Sequence, residues 1–413
     1  MYKNTANKKI GLMLFALCFA AYTASYVGRL NFSAALAGMT SSGVLDKVQG
    51  GTIATLYYFC YAAGQLFSGW LGDRISPFVQ VSIGVAGAAL CNIGMAIVGD
   101  ASAMTVIWGA NGIFQSMLWA PTLVIISRIM PKDMCDKACV GMSLCSPLGI
   151  LAAYIMSSLV LREGSYHGIF VGAGALLAVV FFLCILGWCH ILPRLEREES
   201  SSIKAEGGTN KGLLPLLASA GVFSFVIPVA LHGALKDGVA TWVPTMMGEM
   251  YALSPAYSTF ITMFLPIINL SGAWIAMRMR DRTGSELQAT TVLFVVSGIF
   301  VLPFLIGTAL PPMIAVLLLS VITTLMYAVN YFFVTLIPVK FASLGCVSVV
   351  TGMLNCTTYI GSSLSGYGYG AISEYLGWDF IVYIWIGITV IGALLCLASS
   401  KRWKKFKAEH EIE

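Results

Sequence analysis

Runs of apolar residues long enough to cross a bilayer, roughly 20 residues each, recur from one end of the chain to the other with only short polar breaks between them. The pattern predicts helices over residues 10–37, 49–71, 77–98, 103–129, 137–161, 166–191, 214–247, 254–278, 286–307, 312–337, 343–372 and 378–400. The opening MYKNTANKKIGLMLFALCFAAYTA has the lysines, apolar run and small-residue end of a secretory signal. That run continues past Met39 and eleven more follow it, so it reads as the first span. Composition agrees: 58% of the 413 residues are hydrophobic and 10% charged, which leaves no stretch for a soluble domain. The predicted fold is an all-α integral membrane protein with twelve transmembrane helices in two pseudo-symmetric six-helix bundles. These are residues 1–192 and 214–413, joined by a polar linker over 193–213, the second ending in a basic tail.

Charge supplies the orientation. Twenty of the 24 lysines and arginines fall at the termini or in alternate loops, among them Lys8, Lys9, Arg74, Lys132, Arg194, Lys211, Arg278, Arg280, Arg282 and the terminal KRWKKFK. Positive residues stay on the cytoplasmic side, so both termini and the even-numbered loops are expected in the cytoplasm. The opposite side holds only Lys47 and Arg162. The net charge of +5 is accounted for in this way and requires no nucleic-acid partner. The tail offers Lys401 to Lys407 to anionic lipid, although topology alone explains its charge. The eleven cysteines are scattered singly and read as small buried hydrophobes. Cys135 and Cys139 stand four apart, but no histidine or second cysteine pair completes a metal site, and neither metal nor cofactor is expected.

Two basic residues remain, Arg29 and Lys236, inside the first and seventh predicted spans. An arginine at membrane depth costs on the order of 3 kcal/mol on insertion scales, so it faces a cavity or a partner. Along the first helix Tyr22, Tyr26, Arg29 and Ser33 fall within about 60 degrees of one another and form one polar face. On the seventh, His232 and Lys236 share a face, while Asp237 points roughly 100 degrees away from Lys236 and is its sequence neighbour rather than an obvious partner. An ion pair between the two stays open all the same.

From Arg29 to Asp73 is 44 residues and from Lys236 to Asp281 is 45, so the halves keep one internal ruler. Duplicated halves commonly hold a binding site at their interface, which would set Arg29 and Lys236 on opposite walls of one cavity. An arginine fork grips a carboxylate or phosphate bidentately and a lysine adds a point charge, so two such cations suit a small anion. Comparable polar stripes are Tyr61, Gln65 and Ser68; Trp108, Asn111 and Gln115; Tyr327, Asn330 and Tyr331; and Asn355, Tyr359 and Ser362. They either line that cavity or hydrogen-bond between helices.

Several segments resemble one family. Gly69-Trp-Leu-Gly-Asp-Arg74 and the degenerate Arg280-Asp-Arg-Thr-Gly284 resemble the loop motif of the major facilitator superfamily, which joins helices two and three and recurs between eight and nine. The resemblance gives Asp73, Arg74, Asp281 and Arg282 a gating role at helix ends, beside the plainer reading as topology-setting charge. Within that superfamily Tyr22-x3-Tyr26-x2-Arg29-x-Asn31-Phe32 resembles the organophosphate:phosphate antiporter branch, which includes glycerol-3-phosphate and hexose-phosphate exchangers and has a phosphate-binding arginine at the position of Arg29. Leu235-Lys-Asp-Gly-Val-Ala-Thr-Trp-Val-Pro-Thr245 is similar to the branch's seventh helix, with Lys236 in place of a second arginine. Thr351-Gly-Met-Leu-Asn-Cys-Thr-Thr-Tyr-Ile-Gly361, with Gly377-Trp378 behind it, is similar to the eleventh and brings Tyr359 near the site. An ungapped reading finds Gln65 and Pro147 where glycerol-3-phosphate members carry a lysine and a histidine, which makes the pocket less cationic and favours a carboxylate or sugar acid more than in those members.

The resemblance implies a secondary transporter of a small organic anion, a phosphate ester exchanged for inorganic phosphate as two bundles rock about a central site, acting as a monomer in the lipid bilayer. The substrate-binding residues would be Arg29, Lys236, Tyr22, Tyr26, Tyr359, Gln65, Asn111, Gln115, His232, Tyr327 and Asn355. Two alternatives stay open. A proton-coupled symporter of a carboxylate or sugar acid needs a titratable group in the pathway, for which Asp237 and His232 are the candidates. A transporter-like sensor of an external sugar phosphate is the other, since the family includes such receptors. An enzyme would need a clustered nucleophile, base or metal set, and the sequence presents none.

Overall fold

The structure is a computed structural model that describes residues 8–72, 74–130, 132–142, 144–163, 165–195, 222–341 and 347–409. Among them the regular structure is helical, with no strand. A chain surrounded by lipid must satisfy its backbone N–H and C=O groups internally, which a helix does. Seven helices among the described residues are long and apolar enough to cross a membrane, or eight if Pro255–Asn269 and Gly272–Thr283, bent by 41°, form one span. Lys47–Gly72, Val222–Tyr251 and Val347–Tyr375 have the length but not the apolarity. They carry Gln65, the His232–Lys236–Asp237 group and the polar run around Tyr359, so all three bear candidate site residues. The linker beyond Leu195 and the loop residue Asp73 lie outside the described residues.

The chain divides into two compact units. The first comprises Met1–Asp46, Leu56–Ile203 and Ser254–Met263, and the second Lys47–Thr55, Lys204–Leu253 and Phe264–Glu413. Two short segments, 47–55 and 254–263, thus belong by their contacts to the unit opposite that of their chain neighbours.

In the first unit α1 (Lys8–Ser41), α2 (Lys47–Gly72), α3 (Pro77–Ile97), α4 (Ala101–Ser116), α5 (Trp119–Ile129), α6 (Lys132–Met142), α7 (Cys145–Leu161) and α8 (His167–Ile191) follow in order. The span expected over 103–129 is broken at Met117 and Leu118. Pro121 lies four residues beyond Met117 and has no N–H to offer that carbonyl. Asp100 caps α4 by accepting from the Ala103 N–H at 2.9 Å. The core gathers Leu14, Cys18, Phe78, Leu177, Cys184 and Trp188. A Cβ at Gly28 would stand 2.5 Å from Leu177 and 2.9 Å from the Asn92 amide, so glycine sets how closely α1 lies on its neighbours. On the outer side of α8, Val179, Phe182, Leu183 and Leu186 are exposed, as large apolar side chains facing lipid must be.

In the second unit α9 (Val222–Tyr251), α11 (Phe264–Asn269), α12 (Gly272–Thr283), α13 (Glu286–Val301), α14 (Pro312–Asn330), α15 (Val347–Tyr375) and α16 (Trp378–Glu409) follow, while α10 (Pro255–Thr262) belongs to the first. The closest crossing is that of α9 with α15. A Cβ at Gly361 would overlap the Ala230 carbonyl oxygen and one at Gly233 the Thr358 carbonyl oxygen. Beyond Asn330, α14 passes into a π-helical turn over Tyr331–Leu336, a device often found at functional sites. The start of α2 is held in this unit by Lys47, whose Nζ lies 2.8 Å from Glu249 and 3.6 Å from Glu374. Trp378 Nε1 donates to the same Glu249 carboxylate at 2.8 Å.

Candidate functional site

The first unit holds Arg29 on α1 among tyrosines. Its guanidinium carbon lies 4.9 Å from the Tyr61 ring centre, 5.5 Å from Tyr57, 5.6 Å from Tyr58 and 5.8 Å from Tyr26. Each ring face attracts a cation by about 0.5–2 kcal/mol, more when desolvated, so these rings offset much of the cost of a half-buried guanidinium. Tyr22 extends the wall: its ring meets Tyr26 edge-on at 5.3 Å and Trp119 at 4.8 Å, and the two tyrosine hydroxyls stand 3.5 Å apart. Gln65 sits half-buried one turn beyond Tyr61.

Behind that face, buried amides brace the turn that carries Arg29. Asn92 Nδ2 donates to the Gly28 carbonyl at 3.0 Å and to Ala88 at 2.9 Å, while Asn31 Nδ2 donates to Asn92 Oδ1 at 2.8 Å. Asn111 Nδ2 donates to the same Gly28 carbonyl at 3.1 Å and Gln115 Nε2 to Ser25 at 3.0 Å. Asn111 and Gln115 are buried and spend their amides on the backbone of α1, the packing use of a polar stripe. They position Arg29. Tyr57, Tyr58 and Asn92 were not singled out from the sequence. The run Tyr57-Tyr58-x2-Tyr61 on a predicted helix was the available signal for the first two.

The second unit holds Lys236 on α9, buried, with its ammonium 3.0 Å from Asp237 Oδ1 and 5.0 Å from the Tyr327 ring centre. The ion pair with Asp237, which the sequence left open although the two are not obvious partners, is therefore present. Adjacent side chains leave a helix about 100 degrees apart, but the four-carbon lysine stem bends back far enough to meet the carboxylate. Asp237 also accepts from the Ser362 hydroxyl at 2.6 Å, a charge-assisted bond that ties α9 to α15. One turn before Lys236, His232 is fully buried, with Nε2 3.2 Å from Asn330 Oδ1 and its ring 5.6 Å from Phe333 in the π-helical turn. Asn355 and Tyr359 are half-buried on α15. Lys236, Asp237, His232 and Tyr327 are thus gathered in the second unit, and Arg29, Tyr22 and Tyr26 in the first.

Of the loop charges, Arg74 and Arg282 are exposed, and Asp281 pairs with its neighbour Arg280 at 3.2 Å on the surface. Asp73 lies outside the described residues.

Long apolar helices with lipid-type outer faces, and an ionisable group sheltered inside each unit, define the class: a multi-pass helical membrane protein. The chain belongs to the major facilitator superfamily, whose pattern it matches over residues 14–366. Among curated proteins it is similar to the "Probable hexose phosphate transport protein" of Chlamydia pneumoniae, 27% identical over 122 residues, 30% of this chain and 27% of that one. It is likewise similar to the "Membrane sensor protein UhpC" of Escherichia coli, 31% identical over 94 residues, 23% of this chain and 21% of that one. The match therefore spans about a quarter of the length of these relatives. Among solved structures, the inward-facing, unoccupied form of a bacterial homologue of the human lysosomal transporter Spinster shares the fold with a TM-score of 0.79, at 12% identity, over 97% of this chain and 99% of that one.

Proposed function

We propose that this chain is a secondary transporter of a small organic anion, a phosphate ester exchanged for inorganic phosphate, with Arg29 and Lys236 as its charge-bearing contacts. The observation that carries the reading is the arginine in a membrane span with four tyrosine rings around it. Aromatic faces steady the cation, and a guanidinium fork suits a phosphate or carboxylate. The resemblance of the Tyr22 to Phe32 segment to phosphate exchangers, and the hexose phosphate relative, support the phosphate ester. Transport follows alternating access, and only a substrate that binds one state better than the other drives that step. The protein works as a monomer in the cytoplasmic membrane with both termini in the cytoplasm.

Proteoliposomes loaded with phosphate test this. Rapid uptake of labelled phosphate by exchange, abolished in Arg29→Ala and competed by sugar phosphates or glycerol-3-phosphate, is the expected result. Accumulation of a carboxylate under an inward proton gradient, without phosphate exchange, would select the symport reading. That reading is weakened by Asp237, whose oxygens are engaged by Lys236 and Ser362. Specific binding of a sugar phosphate with neither exchange nor net flux would select a sensor, the reading that the Escherichia coli relative favours.

A further inference from the structure

The last helix, α16, runs without a break from Trp378 to Glu409. Along it Val390, Leu394 and Leu397 are 51%, 61% and 55% exposed, a stripe of large apolar side chains that on a membrane span faces lipid. The steps of four and three residues that relate them continue to Lys401 and Lys404, with Lys405 beside, so the same face turns from apolar to cationic within one helical turn. At 1.5 Å per residue, Lys401 stands about 6 Å and Lys405 about 12 Å beyond Leu397 along the axis. The headgroup layer is roughly 5–8 Å thick, and a lysine reaches back several ångströms along its stem, so all three ammonium groups fall at or beside phospholipid phosphates.

The opposite face of the segment is fastened to its own unit. Trp403 and Phe406 are buried, packed on Phe225 and Phe341. Trp403 Nε1 donates to the buried Glu286 carboxylate at 3.0 Å and Lys407 Nζ to the same group at 3.1 Å. This anchor fixes the rotation of the helix, so the cationic face cannot turn away from the bilayer. Lys404 donates to Gln288 at 3.0 Å and Lys405 lies 3.6 Å from Glu409, yet each ammonium has three N–H donors and keeps some for a further acceptor.

We propose that Lys401, Lys404 and Lys405 form a binding surface for anionic phospholipid headgroups in the leaflet where α16 ends, so that the protein selects anionic over zwitterionic lipid at its boundary. The inference rests on the membrane placement of α16 and is independent of what the chain carries.

The full-length protein is reconstituted in phosphatidylcholine bilayers with a trace of spin-labelled phosphatidylglycerol or phosphatidylcholine, and the motionally restricted fraction of each label is measured. The expected result is a preference for phosphatidylglycerol that falls by about fivefold or more, the worth of one headgroup lysine, in the triple variant K401Q/K404Q/K405Q and survives in K401R/K404R/K405R. The arginine variant keeps the test decisive if loss of three charges disturbs insertion, and Lys8→Gln with Lys9→Gln controls for positive charge elsewhere. An equal preference in wild type and the glutamine variant overturns the proposal. So does a preference abolished by inorganic phosphate but not by chloride at the same ionic strength, which would mark a site for a free anion.

Discussion

At the scale of single residues, Arg29 shows how a membrane chain keeps a charge usable. Its aromatic surround offers it ring faces, that of Tyr61 at 4.9 Å. Tyr61→Phe is therefore expected to bind labelled phosphate like wild type in a detergent binding titration, while Tyr61→Leu weakens it roughly tenfold. Lys236 has an immediate counter-charge in Asp237. Removing one member of a buried pair leaves the other uncompensated, at about 3–5 kcal/mol, whereas replacing both by apolar residues is close to neutral. Asp237→Asn is thus expected to lower the thermal unfolding midpoint in detergent markedly, and Lys236→Met with Asp237→Leu to recover most of it. A double variant no more stable than Asp237→Asn would show that the carboxylate matters through Ser362 and not through the lysine.

Between helices, buried amides and missing side chains decide the packing. The Gly28 carbonyl takes one bond from Asn92 and one from Asn111, so the two are unequal partners: Asn92 also serves Ala88 and accepts from Asn31. Interhelical bonds in membranes contribute about 0.5–2 kcal/mol, and Asn92→Ala is expected to cost near the top of that range and Asn111→Ala near the bottom, read as thermal midpoints. The α9–α15 crossing has no such slack. Gly361→Ala must push two backbones apart, with an overpacking cost of about 1–3 kcal/mol, and is expected to give a shifted or heterogeneous size-exclusion peak. These partners were beyond the reach of the sequence, because an asparagine on a polar stripe reads the same whether it meets a solute or, as Asn111 does, a carbonyl 83 residues away. The stripe of Trp108, Asn111 and Gln115 was legible, but its use was not.

For the molecule as a whole, the apolar runs and the superfamily motifs agree with the helical fold and with the match over residues 14–366. The lysine and arginine bias adds an orientation that fusion proteins check. A fluorescent protein joined to the C-terminus in a bacterial host is expected to fluoresce and alkaline phosphatase at the same point to stay inactive. Activity of the phosphatase would invert the topology and move the α16 lysines to the other leaflet. Two features of the whole were not legible. Segments 47–55 and 254–263 belong by contact to the unit opposite their chain neighbours, and Lys47, which in the sequence merely broke the charge rule, is held by Glu249 and Glu374.

The sequence by itself determined the membrane class, the helical architecture and the family, because these depend on run length and on short motifs that are local along the chain. It also marked Arg29 and Lys236, since a cation within a span is costly wherever it lies. Only the tertiary structure decided which groups meet them: Tyr57 and Tyr58 at Arg29, Asp237 and Tyr327 at Lys236, and the amides of Asn111 and Gln115 turned to the backbone of α1. The physical reason is that a polar side chain's role is set by the rotation and depth of its helix against others far away in sequence, and no local pattern contains those.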